Sequence, residues 1–355
     1  MKSKIAIGIV ILLVAIRAVL PSIVLPKVNS YLKDFSEIYV FHIEDLDISI
    51  LRGAYRFEGL TGQLRKQKEN FIQAKYIDVS LSWREIFRGR ILTDVVADSV
   101  KFVLTQELMA GSKKQPAAKT IGEGKKAKEK LFPFNASRID IRNSDFLFAD
   151  VSGLPPELQL KVTGLDGRLN NVTTSPEDPI SLFVGKGSLM NSGLIKVVGE
   201  LNRSQKPLDW NFDVEVKEFE ATKLNSFLKR KGPLTFEQGS LDLYGEIKSE
   251  NGKLEGYVKP FLKKATFIGD QNDFKSFKHF GIEITVAALN ALLKSSKDKS
   301  VATKIIFSYT KDDFQWNASH AISTAIAHGF QDKVEPGLEN LYSLNLKKPQ
   351  EVVGD

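Results

Sequence analysis

Polar and apolar residues alternate with a period of two along most of this chain. Leu46, Ile48 and Ile50 interleave with Asp45, Asp47 and Ser49, and Ile77, Val79, Leu81 and Trp83 interleave with Asp78, Ser80 and Ser82. The cleanest run is 208–216, where Leu208, Trp210, Phe212, Val214 and Val216 alternate with Asp209, Asn211, Asp213 and Glu215. Successive side chains of a strand point to opposite faces, so each run predicts a strand with one apolar and one wet face. Further strands are predicted at 95–104, 138–148, 158–162, 180–184, 194–201, 240–248, 253–260 and 301–309. Turn chemistry at Asn251-Gly252, Asp166-Gly167 and 174–179 separates several of them. The pattern predicts a mainly β protein with a few helices, its strands in a long antiparallel meander with one hydrophobic surface. No α/β alternation is visible.

The N-terminal end has a different character. Residues 5–25 are apolar for 21 positions, interrupted by Arg17. As a helix they would extend roughly 31 Å, about the thickness of a bilayer core. Ile5, Ile9, Leu12, Leu13, Ile16 and Leu20 are the expected anchor residues of a transmembrane helix over 1–26. Lys2 and Lys4 precede it, which places the N-terminus in the cytoplasm and the body outside. Arg17 is costly inside a membrane, but from the outer part of the span its stem can snorkel to the interface. The competing reading, a cleaved signal peptide, lacks its small-x-small site, because Ala15 pairs with Arg17 and Ala18 with Leu20. A short helix is predicted after the anchor, with Val28, Tyr31, Leu32 and Phe35 on one stripe. Others at 221–230, 284–294 and 322–330 are expected to cap the sheet, where an open edge invites aggregation.

Composition changes this picture in two places. Residues 110–130 carry seven lysines and two glutamates, with Ile121 their only large apolar side chain, and read as a disordered loop. That loop and the anchor hold the whole basic excess of a chain with formal charge +7. The remaining body is nearly neutral and lacks the footprint that nucleic acid requires. The expected divisions are therefore the anchor (1–26), an N-terminal β segment (27–109), the loop (110–130), a larger β segment (131–345) and a flexible tail (346–355). Cysteine is absent, which excludes disulfides, thiolate metal sites, thiol catalysis and a lipoprotein thioether.

Candidate chemistry is sparse. His42, His279, His320 and His328 form no metal-ligand spacing, and no G-x-S-x-G or G-x-G-x-x-G motif occurs. Residues 122–126 superficially resemble a phosphate loop but lack its first glycine and the hydroxyl residue after lysine. The acidic groups Glu44/Asp45/Asp47 and Asp312/Asp313 sit at strand edges or turns, where acids are commonly just solvated; a glycosidase pair drawn from distant strands stays open. The chain is expected to be no enzyme, with no catalytic residue, metal or cofactor.

Two segments resemble the AsmA-like superfamily of bacterial envelope proteins, in a branch of unknown function related to bridge-like lipid-transfer proteins. The first comprises 46–60 and 71–92, with Arg52-Gly53-Ala54-Tyr55, Trp83 and Gly89; the second is Gly256-Tyr257-Val258-Lys259-Pro260 and the stretch from there to Tyr309. Residues 138–150 resemble the strand-turn unit that these proteins repeat. The resemblance implies an inner-membrane anchor, a periplasmic body, and an elongated curved sheet with a hydrophobic groove. It also implies lipid handling or maintenance of the outer membrane, with phospholipid held along Ile77, Val79, Leu81 and Trp83 and along Leu208, Trp210, Phe212, Val214 and Val216. The alternative expectation is an assembly module whose β core is closed and whose surface docks another envelope protein.

Overall fold

A computed structural model describes residues 2–34, 36–49, 52–89, 91–105, 108, 134–149, 160–173, 180–202, 209–231, 234–269, 300–302, 304–310 and 334–342. The lysine-rich loop, the tail, Leu208, the predicted helices at 284–294 and 322–330, and the side chains of Ile5, Ile9, Leu12, Leu13 and Ile16 lie outside them. Within the described residues the chain is mainly β and divides into two compact units, Met1–Val151 with Gln159–Asp178, and Ser152–Leu158 with Pro179–Asp355.

The first unit begins with α1 (Lys2–Asp34), a single helix that passes through Pro21 and Pro26 and absorbs the short helix expected after the anchor. Among the described residues no helix is long and apolar enough to cross a membrane. Seven strands come next: β1 (Tyr39–His42), β2 (Asp45–Ser49), β3 (Ala54–Leu64), β4 (Asn70–Leu81), β5 (Ile91–Leu104), β6 (Phe134–Phe148) and β7 (Leu160–Thr173). β1 and β2 lie in series along one edge of β3, and β3 to β7 are neighbours in chain order.

The structure departs from the sequence pattern at three places in this unit. β5 and β6 pair in parallel, not antiparallel. The connection through residues 105–133 exceeds the dozen or so residues that a parallel return needs. Asp166-Gly167 is no turn but lies inside β7, where the Asp166 carboxylate accepts from the Asn143 N–H at 3.0 Å. Trp83 is not a strand residue; β4 ends at Leu81, and Trp83 opens the short helix α2 (Trp83–Ile86).

The strands of this unit change phase along a shared line. Apolar positions run Val95, Ala97 and then Val100, Phe102 in β5, and Ile139, Ile141 and then Phe146 in β6, with the buried Ser144 in the shifted phase. At the change stand Ser99 and Asn143, both with positive φ, as does Gly59 in β3 and Gly164 in β7. A left-handed residue breaks the alternation locally and leaves backbone groups unpaired. Side chains take over the pairing: Val100 N–H donates to Ser144 Oγ at 3.0 Å and Gly164 N–H to Asp145 at 3.2 Å.

The second unit contains β8 (Ile180–Leu189), β9 (Gly193–Asn202), β10 (Asp209–Glu220), a 3-10 turn (Ala221–Leu224), α3 (Asn225–Lys231), β11 (Leu234–Glu250), β12 (Lys253–Gly269), β13 (Ser300–Ala302) and β14 (Ile305–Thr310). β8 to β12 form an antiparallel meander, with the expected Asn251-Gly252 hairpin between β11 and β12, both residues at positive φ. The strand expected at 301–309 is two strands, β13 and β14, which pair in series along β12. A phase-change line recurs at Glu218, Gly239 and Lys264, where Glu218 N–H donates to the buried Asp242 at 2.9 Å.

Both units fasten a helix to the sheet's backbone with an asparagine amide, at Ile43 between β1 and β2 and at Phe236 in β11. Asn29 of α1 donates to Ile43 C=O and accepts from Ile43 N–H, both at 2.8 Å. Asn225 of α3 makes the same pair of bonds with Phe236 at the same distances. The C-terminal end of α1 is closed by Arg65, which donates to the carbonyls of Lys33 and Ser36.

Candidate functional site

The two expected linings fall on two apolar faces, one per unit. Residues directly opposite one another in neighbouring strands share a face. In the first unit Phe57 and Tyr55 pair with Ile77 and Val79, which pair in turn with Ala97 and Val95. Beyond them stand Ile141 and Ile139. On the other side Phe57 and Tyr55 face Leu46 and Ile48. Ile77, Val79 and Leu81 are therefore brought together on one continuous apolar face, each half-buried. Trp83 sits at its end, and its indole nitrogen lies 3.1 Å from where a Cβ on Gly53 would be. Such a Cβ would also lie 2.5 Å from Leu81 O, and φ is +62°, so the Arg52-Gly53-Ala54-Tyr55 turn requires its glycine.

α1 covers one margin of this face. Arg17, Leu20, Val24 and Val28 succeed one another at helical spacing on one stripe. Leu20, Val24 and Val28 face Leu46, Ile48, Tyr55 and Phe57 across an apolar cleft of about 320 Å³. Leu20, expected in the membrane, thus lines a cleft against the body. Arg17 pairs with Asp47 of β2 at 3.4 Å, both side chains more than half exposed. Leu46 and Ile48 beneath the helix are 3% exposed, while the β4 residues beyond it are not covered to that degree.

In the second unit Trp210, Phe212, Val214 and Val216 pair on one side with Leu201, Gly199, Val197 and Ile195. On the other they pair with Ser249, Ile247, Gly245 and Leu243. The face continues through Leu254, Val258 and Pro260 of β12 to Ile305 and Phe307 of β14. Glycine at 199 leaves room for a ring: Phe212 lies so close that a Cβ there would be 2.2 Å from it. Trp210, Phe212 and Val214 are half-buried; Val216 is buried. Phe212 contacts Trp210 and Phe183 with ring centroids 5.3 and 6.5 Å away.

The opposite, polar face of this unit is the covered one, which the alternation did not foretell. The segment 334–342 lies over β11 and β12 as a strap. Val334 and Leu338 pack against Tyr244, Phe261 and Ala302. Glu246, fully buried, accepts from the backbone N–H groups of Asn340, Leu341 and Tyr342, and from the Tyr257 hydroxyl. The Tyr257 oxygen accepts in turn from Glu339 N–H at 2.7 Å. Burial, together with the bond to Glu246, pushes the Tyr257 phenol well above its ordinary pKa, so it stays a donor. Lys259 donates to Glu335 C=O at 3.1 Å, and both Lys259 and Lys304 pair with Glu339. The bond from Lys304, with a smaller one from Lys259, holds the Glu339 carboxyl below its ordinary value. Asn211 reaches Tyr342 C=O at 3.3 Å.

One signal could have revealed this strap. The polar phase of β11 and β12 contains Tyr244, Tyr257 and Phe261, large rings that a solvated face would not carry. The Gly256-Tyr257-Val258-Lys259-Pro260 element thereby serves both sides of the sheet, with Tyr257 and Lys259 under the strap and Val258 and Pro260 on the apolar face.

No family model matches the chain, and no curated protein matches it significantly.

The buried carboxylates among the described residues all have structural partners. Asp140 is ringed by Arg168 at 2.7 Å, Arg138 at 3.3 Å and Arg142 at 3.9 Å. Asp242 holds Glu218 N–H and Lys263, Asp209 accepts from Asn251 N–H, and Glu246 holds the strap. His42 stands exposed at the end of β1, and among the described residues no group of three His, Asp or Glu side chains is placed to hold a metal ion.

Proposed function

We propose that this chain is a membrane-anchored envelope protein of the AsmA-like type that holds lipid acyl chains on its apolar β faces and catalyses no reaction. The supporting observation is where the second unit places its covering segment. Trp210, Phe212 and Val214 are only partly buried on a face shared by six strands, while Glu246 and Lys259 on the opposite face are buried beneath the strap. An extended apolar face without a covering layer favours an apolar occupant. The cleft between α1 and β2–β3 adds a second apolar space beside the helix that carries the anchor sequence.

The reading places the anchor in a bacterial inner membrane, the N-terminus in the cytoplasm and the body in the periplasm. From Arg17, level with Asp47, the helix continues for about 22 Å to Lys2; its apolar residues 5–16 cover roughly 18 Å of a bilayer core of about 30 Å, so crossing requires the Arg17 end of the helix to lie at the membrane surface. The ligand class is a phospholipid or another lipid with flexible acyl chains, and the buried carboxylates are part of the scaffold.

The test is lipid analysis by mass spectrometry of the full chain, extracted in detergent and washed extensively. Truncation at residue 26 would strip Leu20 and Val24 from the cleft, so the intact chain is the right object. Lipid retained in at least equimolar amount is expected. A stable, lipid-free chain that instead captures another envelope protein would favour a closed assembly module.

A further inference from the structure

The end of the first unit that carries α2 has an unusual surface. Phe87, directly after α2, is 86% exposed, the highest value among the exposed large apolar side chains of the described residues. Arg84 and Arg88 flank it, both exposed, and Arg52 is exposed in the adjoining turn. Glu85 is the acid within this group, and Arg88 is bonded to it at 2.9 Å. The Trp83 ring lies 6.5 Å from that of Phe87.

The direction of α1 gives this surface a context. Asn29 is fastened to Ile43, just before β2, and Arg17 to Asp47, towards the end of β2. The helix therefore runs against β2, and its N-terminal half points beyond Ser49. That is the end of the unit at which Gly53 turns back into β3. Leu81 is bonded to Gly53 there at 2.7 Å, and Trp83 packs against the same turn. The anchor sequence and the Phe87 surface thus emerge from the same end. The opposite end, the turn 65–69 between β3 and β4, has Lys66 and Lys68 but no aromatic residue.

We propose that the α2 end is a membrane-docking surface, with Phe87 in the headgroup–acyl boundary of an anionic phospholipid bilayer and Arg52, Arg84 and Arg88 on lipid phosphates. The proposal rests on the reading that α1 enters a membrane. Its chemistry is that of an interfacial patch: a ring that gains from leaving water, surrounded by guanidinium groups that match phosphate geometry. Docking would set the open margin of the Ile77 face directly against the lipid surface.

The chain contains no cysteine, so Phe87→Cys and Lys68→Cys each give a single labelling site at an exposed position. Each full-length variant is labelled with an environment-sensitive nitrobenzoxadiazole dye. It is then reconstituted into vesicles of phosphatidylethanolamine and phosphatidylglycerol, with and without spin-labelled lipid. At position 87 a blue-shifted emission and at least twofold quenching by the spin label are expected, with little of either at 68. Adding Arg84→Gln and Arg88→Gln should cut the quenching at 87 by about half. Equal, water-like signals at both positions in a chain that remains vesicle-bound would overturn the docking surface and leave the anchor standing. A chain that does not associate with vesicles at all would overturn both.

Discussion

The two units place their covering segments on chemically opposite faces of the sheet. In the first, a helix lies over the margin of the apolar face and seals Leu46 and Ile48, while the polar side carries exposed pairs such as Arg56–Asp78. In the second, the covering segment lies on the polar side, and Trp210, Phe212 and Val214 on the apolar face are only partly buried. Alternation thus decides which residues share a face but not which face is buried. Burial is set by what the rest of the chain lays on the sheet. A strap can cover a polar face only if its own backbone donors are satisfied, and Glu246 does that for three consecutive N–H groups.

The largest effect should come from breaking the strap. Glu246→Ala leaves three backbone donors and the Tyr257 hydroxyl unsatisfied in a buried site, at a cost of about 3–5 kcal/mol. Chemical denaturation should register that loss, and amide exchange should accelerate at 340–342 while β3 and β4 stay protected.

The asparagine clamps offer a like-for-like comparison. Asn29→Ala and Asn225→Ala each remove two bonds and leave the partner backbone unpaired, so each should cost about 2 kcal/mol. The first should loosen α1 and open the cleft; the second should loosen α3 without touching lipid retention. Equal effects of both on lipid retention would contradict a special role for the α1 margin.

Val24→Trp sharpens the comparison further. It fills the cleft with an apolar ring at a stability cost of no more than about 1–3 kcal/mol. Lipid bound through the first unit should fall severalfold, while lipid bound through the second should be unaffected, as read by counting bound lipids in native mass spectrometry.

Acid supplies the smallest effect. The Glu339 carboxyl, paired with Lys304 and Lys259, titrates below its ordinary value of 4.5 in the folded chain. Its contribution is therefore complete above that pH and fades as pH falls past the lowered folded value. The group is largely exposed, so only a few tenths of a kcal/mol are at stake. Exchange at 339–342 should rise modestly below about pH 4.5, and Glu339→Gln should abolish that rise.

Local pattern carried much of this architecture. The run 209–216 is a strand with the faces its alternation assigns, and Asn251-Gly252 is a hairpin because both residues tolerate positive φ. The parallel pairing of β5 and β6 was hidden, since strand order is not written in local periodicity. The phase changes at Ser99, Asn143 and Glu218 are visible as skipped apolar positions, but only their alignment across neighbouring strands shows them to be one structural line. Asp166-Gly167 has turn chemistry, yet its carboxylate is used to cap a neighbouring strand's N–H. The strap was the hardest to foresee. It has no period of its own, and Glu246 sits in an alternating run where an acid looks merely solvated.

The most direct test of the account is photo-crosslinking of the full chain with a phospholipid bearing a diazirine midway along one acyl chain, with peptide mapping of the adducts. Adducts are predicted on the apolar face of the second unit, at Trp210, Phe212 and Ile247, and on Tyr55, Phe57 and Ile77 of the first, with none beneath the strap. Adducts confined to residues 5–16, or spread evenly over polar and apolar faces alike, would contradict it.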